Sequence, residues 1–179
     1  MSDKERRIVI TGFMAAGKTS VAKALAASLG CRMIDLDFII TERERRSVPA
    51  LIAEGGEASF REAEGRALRV VLEMNRARVI ALGGGAWMLP ENRAIIAEHD
   101  CFTVWLDAPF ELCWQRITEG EEARPLAKDR ETAQRLFDER RPVYALAQLH
   151  ISATGEKSVE DLATEITRAL GLTLRNDVV

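Results

Sequence analysis

The sequence predicts an α/β protein, a three-layer αβα arrangement whose five-stranded parallel sheet is covered by helices on both faces. Three observations lead there. Short β-rich runs alternate with longer helical stretches along the 179 residues, which is how parallel sheets are built. A glycine-framed loop, GFMAAGKT (12–19), joins the first run to the first helix. The residues suited to chemistry then gather at the carboxyl ends of successive strands, where such sheets bind ligands.

Taken in order, RIVIT (7–11) is a buried strand. KTSVAKALAASLG (18–30) is a helix with Val21, Leu25 and Leu29 as its apolar positions and Gly30 as its stop. CRMIDLD (31–37) is strand two, and residues 38–76 read as helix broken by Pro49 and by Gly55-Gly56. RVIALGGG (78–85) is strand three and ends in three glycines. PENRAIIAEH (90–99) is a short helix with Pro90 near its start, where the missing N–H costs nothing. CFTVWLDA (101–108) is strand four, and PFELCWQRITEG (109–120) is a helix opened by Pro109. EEARPLAKD (121–129) is a charged loop and RETAQRLFDERRPVYALA (130–147) is helical. HISAT (150–154) is strand five, SVEDLATEITRALG (158–171) closes the fold as a helix, and TLRNDVV (173–179) is a frayed end.

The bulk numbers suit one domain spanning 1–179, with 47% hydrophobic and 30% charged residues. A net charge of −3 supplies no field for nucleic acid, so any anion site must be local. No apolar run is long enough for a membrane span, and the charged start reads as carrying no leader. Cys31, Cys101 and Cys113 lack metal spacing, and His99 and His150 alone could join them as ligands. Reduced thiols in a cytoplasmic monomer are the expectation.

Gly12, Gly17, Lys18 and Thr19 match G-x-x-x-x-G-K-[ST] between a strand and a helix. Small residues let successive N–H groups turn around phosphate oxygens, and the helix start adds its positive end. Lys18 would bridge the β- and γ-phosphates, and the Thr19 hydroxyl would ligate Mg²⁺. The loop therefore predicts a nucleoside triphosphate with Mg²⁺, held by Gly12, Ala15, Ala16, Gly17, Lys18, Thr19 and Ser20. The D-x-x-G and N-K-x-D of a GTPase switch are both missing from the chain. A second candidate, TGEKS (154–158), fails because Glu156 stands where glycine is needed.

Asp35 and Asp37 lie two apart in IDLDFII (34–40), so in a strand they point the same way. One carboxylate could hold a Mg²⁺-bound water and the other could accept the proton or hydrogen bond of an attacking hydroxyl. Arg61, among Glu57, Glu62 and Glu64, is either a surface ion pair or a ligand for an anion. In the second case its loss should weaken binding and barely change stability. Gly83–Gly85 suit a ligand ring lying against the main chain. Arg124 sits in the charged loop, which could close over the phosphates. Arg140 and Arg141 precede Pro142, and one of them could clamp a carboxylate.

Together these motifs resemble shikimate kinase over about residues 7–170. The signals are the phosphate loop, the D-x-D at 35–37, SFREAE, GGGA, RPL and RRPVY, in that order. The resemblance implies ATP-dependent phosphorylation of the 3-hydroxyl of shikimate in aromatic biosynthesis. It also implies a nucleoside-monophosphate-kinase-like fold with strand order 2-3-1-4-5, substrate-binding helices at about 38–65 and a lid at about 118–130. By the same likeness Asp37, Arg61, Arg140 and Gly83, Gly84 and Gly85 hold shikimate, with Asp37 the candidate base. Asp35 helps hold Mg²⁺ through water, Arg124 acts from the lid, and Arg116 lies near the adenine. Arg140 is preferred to Arg141 because the family pattern is R-x-P-x-Y. Two departures stand out. Ala15 and Ala16 replace loop glycines common in the family, and SATGEKS (152–158) replaces the family's adenine-side pattern, leaving Lys157 as a candidate contact there. Another small-molecule kinase of the same loop type, and a nucleotide-dependent binding module, are the competing readings.

Overall fold

The computed structural model describes residues 6–120 and 125–172. Ile8, Val9, Ile10 and Thr11 are all buried and form strand β1 (Ile8–Thr11) at the centre of the sheet. A strand buried on both faces reads as a near-continuous apolar run rather than an alternating one, here Ile8–Val9–Ile10 with Thr11 at its end. Helix α1 (Lys18–Ser28) follows the glycine-framed loop, then β2 (Met33–Asp35) and α2 (Leu36–Glu44). A long helix α3 (Val48–Met74) leads to β3 (Val79–Ala81), a 3₁₀ turn (Ala86–Met88) and α4 (Pro90–Glu98). The chain continues through β4 (Phe102–Asp107), α5 (Phe110–Glu119), α6 (Arg130–Tyr144), β5 (Leu149–Ser152) and α7 (Val159–Ala169).

The five strands are parallel in the order β2-β3-β1-β4-β5. Helices cover both sides of the sheet, as expected for this class. Ile8 pairs with Val79 on one side and with Phe102 on the other. Because β1 has β3 and β4 as neighbours, the chain turns off in opposite directions on its two sides. The crevice beyond its carboxyl end is therefore the switch point where such sheets take ligands. Val9, Ile10, Leu25, Ile80 and Leu106 make up the middle of the core.

Several local expectations shift. Pro49 opens α3 rather than breaking a helix, and the Ser47 side chain accepts from the Ala50 N–H to cap it. The expected glycine break inside α3 falls at Gly56, whose non-helical φ of 75° and ψ of 172° make a kink between two helical stretches. Asp37 is not in a strand. Asp35 ends β2 as the N-cap of α2 and accepts the Asp37 N–H, so the chain turns helical before Asp37 is reached. Cys31, Cys101 and Cys113 are free thiols. Among the described residues no helix is long and apolar enough to cross a membrane.

Candidate active site

The loop after β1 is held tightly. Gly12 has φ 143°, and a Cβ there would stand 2.6 Å from the Leu106 carbonyl oxygen of β4. Only glycine permits both the dihedral and the approach. Gly17 is the left-handed N-cap of α1, with φ 101° and no side-chain cap. The first N–H groups of α1 are thus left facing the hollow of the loop, an arrangement suited to an anion. Ala15 adopts φ 59° without being glycine, so it carries some strain, whereas Ala16 is not among the positive-φ residues. The Lys18 ammonium donates to the Phe13 carbonyl at 2.8 Å and is largely buried. The Thr19 hydroxyl donates to Asp35 Oδ2 at 2.5 Å, tying loop to β2. Arg116 of α5 donates to the Ala15 carbonyl at 3.2 Å and so flanks the loop from the β4 side.

Across the crevice, α2, α3, α6 and the glycine turn after β3 converge. A Cβ on Gly83 would stand 2.5 Å from Asp37 Oδ1 and 3.0 Å from Glu64 Oε1. One on Gly85 would overlap the Arg61 guanidinium. The glycines are there for close approach, though by protein side chains in the first instance. Arg61 pairs with Glu64 at 2.8 Å and with Glu57 at 3.0 Å, and only 14% of its side chain is exposed. Arg140 is buried and reaches the Gly84 carbonyl at 3.5 Å, and the Tyr144 hydroxyl donates to that same oxygen. Arg141, the alternative to Arg140, points elsewhere: it pairs with Asp107 at 3.1 Å and lies over the Trp105 ring.

Glu64, which the sequence offers only as one of the glutamates able to pair with Arg61, is a buried member of the site. Its side chain has 0% exposure, and Oε1 has no hydrogen-bond partner. Burial pushes its carboxyl up from 4.5 to about 7; Arg61 and Arg140 hold it down and the Asp37 charge adds to the rise. Burial alone would pull the Arg61 guanidinium down, but Glu64 and Glu57 raise it above its usual value. The signal was present in the spacing. Phe60, Glu64, Ala67, Leu68 and Val71 fall on one helical stripe, and its other members are buried apolar residues.

Both halves open onto one cavity of about 1330 Å³. Ala15, Ala16, Gly17, Lys18, Thr19, Ser20, Asp35 and Arg116 line one side of it. Asp37, Arg61, Gly83, Gly84, Gly85 and Arg140 line the other. Gly12 lies behind the loop and shapes it without lining the cavity. Lys157 lies at the margin, paired with Glu165 at 2.6 Å. Arg124 lies outside the described residues, while Pro125 and Leu126 beside it line the cavity.

A phosphate-binding loop on a 2-3-1-4-5 sheet, facing a pocket of buried arginines and carboxylates, defines a kinase of the P-loop class with a small acceptor. The family model for shikimate kinase matches residues 14–171. A shikimate kinase of Geobacter metallireducens is 42% identical over 165 residues, 90% of each chain. One from Ruegeria pomeroyi is 36% identical over 177 residues, 97% of this chain and 88% of that one. The solved structure of shikimate kinase from Acinetobacter baumannii in complex with shikimate superposes with a TM-score of 0.85 at 31% identity, covering 94% of both chains. A gluconokinase from Sinorhizobium meliloti shares the fold at a TM-score of 0.63 and 16% identity, covering 94% of this chain and 93% of that one. The chain belongs to the shikimate kinase family, and its activity is that of a shikimate kinase, phosphoryl transfer from ATP to shikimate.

Proposed function

We propose that the γ-phosphoryl group of ATP passes directly to the 3-hydroxyl of shikimate, with Asp37 at the acceptor hydroxyl. The supporting observation is that the phosphate loop and the Asp37–Arg61–Arg140 group line one continuous cavity. Asp37 would accept the hydroxyl's hydrogen as the nucleophile attacks, either removing the proton or orienting it. Arg61 and Arg140 would grip the shikimate carboxylate through their planar donors. Gly83–Gly85 would let the ring approach the main chain. The N–H groups of Ala15, Ala16 and Gly17, with Ser20, would wrap the phosphates, Lys18 would neutralise the β- and γ-oxygens, and Arg116 would flank the adenine.

The segment at about 38–65 would carry the acceptor. The lid at about 118–130 would bring Arg124 onto the phosphates and exclude water, which otherwise competes as acceptor. Thr19 and Asp35 fit Mg²⁺, because a hydroxyl and a carboxylate 2.5 Å apart form an oxygen set for a hard cation that retains several waters. Thr19 would ligate it directly and Asp35 through water. Bound there, the ion would supply neutralisation of charge on the β- and γ-phosphates. The chain would work as a monomer in the cytoplasm; among the described residues the exposed large apolar side chains, Phe38, Met74 and Leu146, lie apart in the chain.

Asp37→Asn tests the assignment. Turnover of shikimate should fall about 10²- to 10⁴-fold, while equilibrium binding of an ATP analogue stays unchanged. Full activity in the variant would remove Asp37 from the chemistry.

A further inference from the structure

Glu64 is more than an anchor for Arg61. It brings one oxygen to the Arg61 guanidinium at 2.8 Å and leaves the other, without a partner, close to Gly83 and to Asp37 Oδ1. The groups facing it come from every side. Arg61 and, at the rim, Glu57 come from α3, Asp37 from α2, and Arg140 and the neutral Tyr144 from α6. Helix α4, packed on α3, contributes the neutral Asn92 beside Gly65. Counting only the enclosed groups, two guanidiniums balance two carboxylates. An incoming carboxylate makes three anions for two cations around a carboxyl that is itself wholly buried, and such an imbalance is costly.

We propose that shikimate binding is coupled to uptake of one proton from solvent by the unpartnered oxygen of Glu64. The inference rests on the reading that the shikimate carboxylate docks on Arg61 and Arg140. The balance is simple. A buffer acid releases a proton, an O–H bond forms at Glu64 Oε1, and no protein bond breaks. The enclosed charge is then the same with shikimate bound as without it. Neutral Glu64 keeps its other oxygen on Arg61, while the guanidinium turns its full charge to the substrate. A carboxyl poised at about 7 in the empty site is well placed for the exchange near neutral pH. A third anion raises it further, so the proton is taken up on binding and released with product.

Calorimetric titration of shikimate in two buffers of unlike ionisation enthalpy counts the protons. Near neutral pH the heats should differ by an uptake of roughly half a proton per site, and affinity should fall with rising pH by at most about tenfold per unit. Both effects should vanish in Glu64→Gln. Difference infrared spectroscopy of the unmodified protein should show a protonated carboxyl band appearing on shikimate addition, and this holds even if the variant does not fold. Equal heats in both buffers, or an uptake that persists in Glu64→Gln, overturn the coupling while leaving shikimate binding in place. No binding heat and no thermal protection by shikimate would instead overturn the docking itself, and the coupling with it.

Discussion

Arg61 is held by two glutamates of very different exposure, 50% for Glu57 and 0% for Glu64. The buried partner changes what its removal should do. Arg61→Ala should weaken shikimate binding by about 2–5 kcal/mol, the range for truncating one member of a desolvated charge pair. It should also destabilise the fold, contrary to the expectation for a purely ligand-facing arginine. The loss should depend on pH. Folded Glu64 keeps its proton up to about pH 7 whereas the unfolded chain releases it near 4.5, so the stability Glu64 contributes is complete below 4.5 and is lost as pH rises through 7. Without Arg61 that loss deepens, because an unpaired buried carboxylate costs about 3–5 kcal/mol. Urea unfolding of the variant should therefore show a larger deficit in mildly alkaline than in mildly acidic buffer. A deficit independent of pH would count against the buried pair. Ala15 tells a smaller story. Its left-handed backbone costs roughly 1–2 kcal/mol relative to glycine, so Ala15→Gly should raise the unfolding midpoint with the Michaelis constant for ATP unchanged. A lower midpoint would mean the loop holds no strain at Ala15.

At the scale of elements, the site depends on where segments end. Asp35 stops β2, caps α2 and receives Thr19, so one residue joins strand, helix and phosphate loop. The glycine turn after β3 touches Asp37, Arg61, Arg140 and Tyr144. Gly83→Ala should be felt mainly there, since its Cβ would stand 2.5 Å from Asp37 Oδ1. Displacing the acceptor site by about 1 Å should cut turnover about 10²-fold, with ATP-analogue affinity unaltered. Equal losses in both would place the damage in the phosphate loop. The phosphate loop was legible because its residues are contiguous and its strand–helix context is local. Asp37 was legible as chemistry and misread as geometry, since a cap at Asp35 ended the strand sooner than hydrophobicity suggested. Arg140 and Arg141 were not separable by residue type. Adjacent positions on a helix diverge by about 100°, and only tertiary packing sends one to Gly84 and the other to Asp107.

For the whole molecule, the strand order does the assembling. With β3 between β2 and β1, the Asp35–Asp37 corner and the glycine turn lie beside the phosphate loop. With β4 on the other side, α5 brings Arg116 to the same loop. Alternating β and α segments were enough to foresee a parallel sheet with its ligands at the carboxyl ends. They could not reveal Glu64 as a site residue: the helical spacing marks it as buried, but Asp37 of α2 and Arg140 of α6 reach it only in the folded chain. A fold of this kind serves many acceptors, so acceptor choice must rest on the side chains opposite the loop. The most direct test is steady-state ATP consumption with shikimate, gluconate and a nucleoside monophosphate offered separately, alongside a no-acceptor control. The account predicts Mg²⁺-dependent turnover with shikimate far above the other two and above hydrolysis alone. Turnover with shikimate no faster than with water would contradict it.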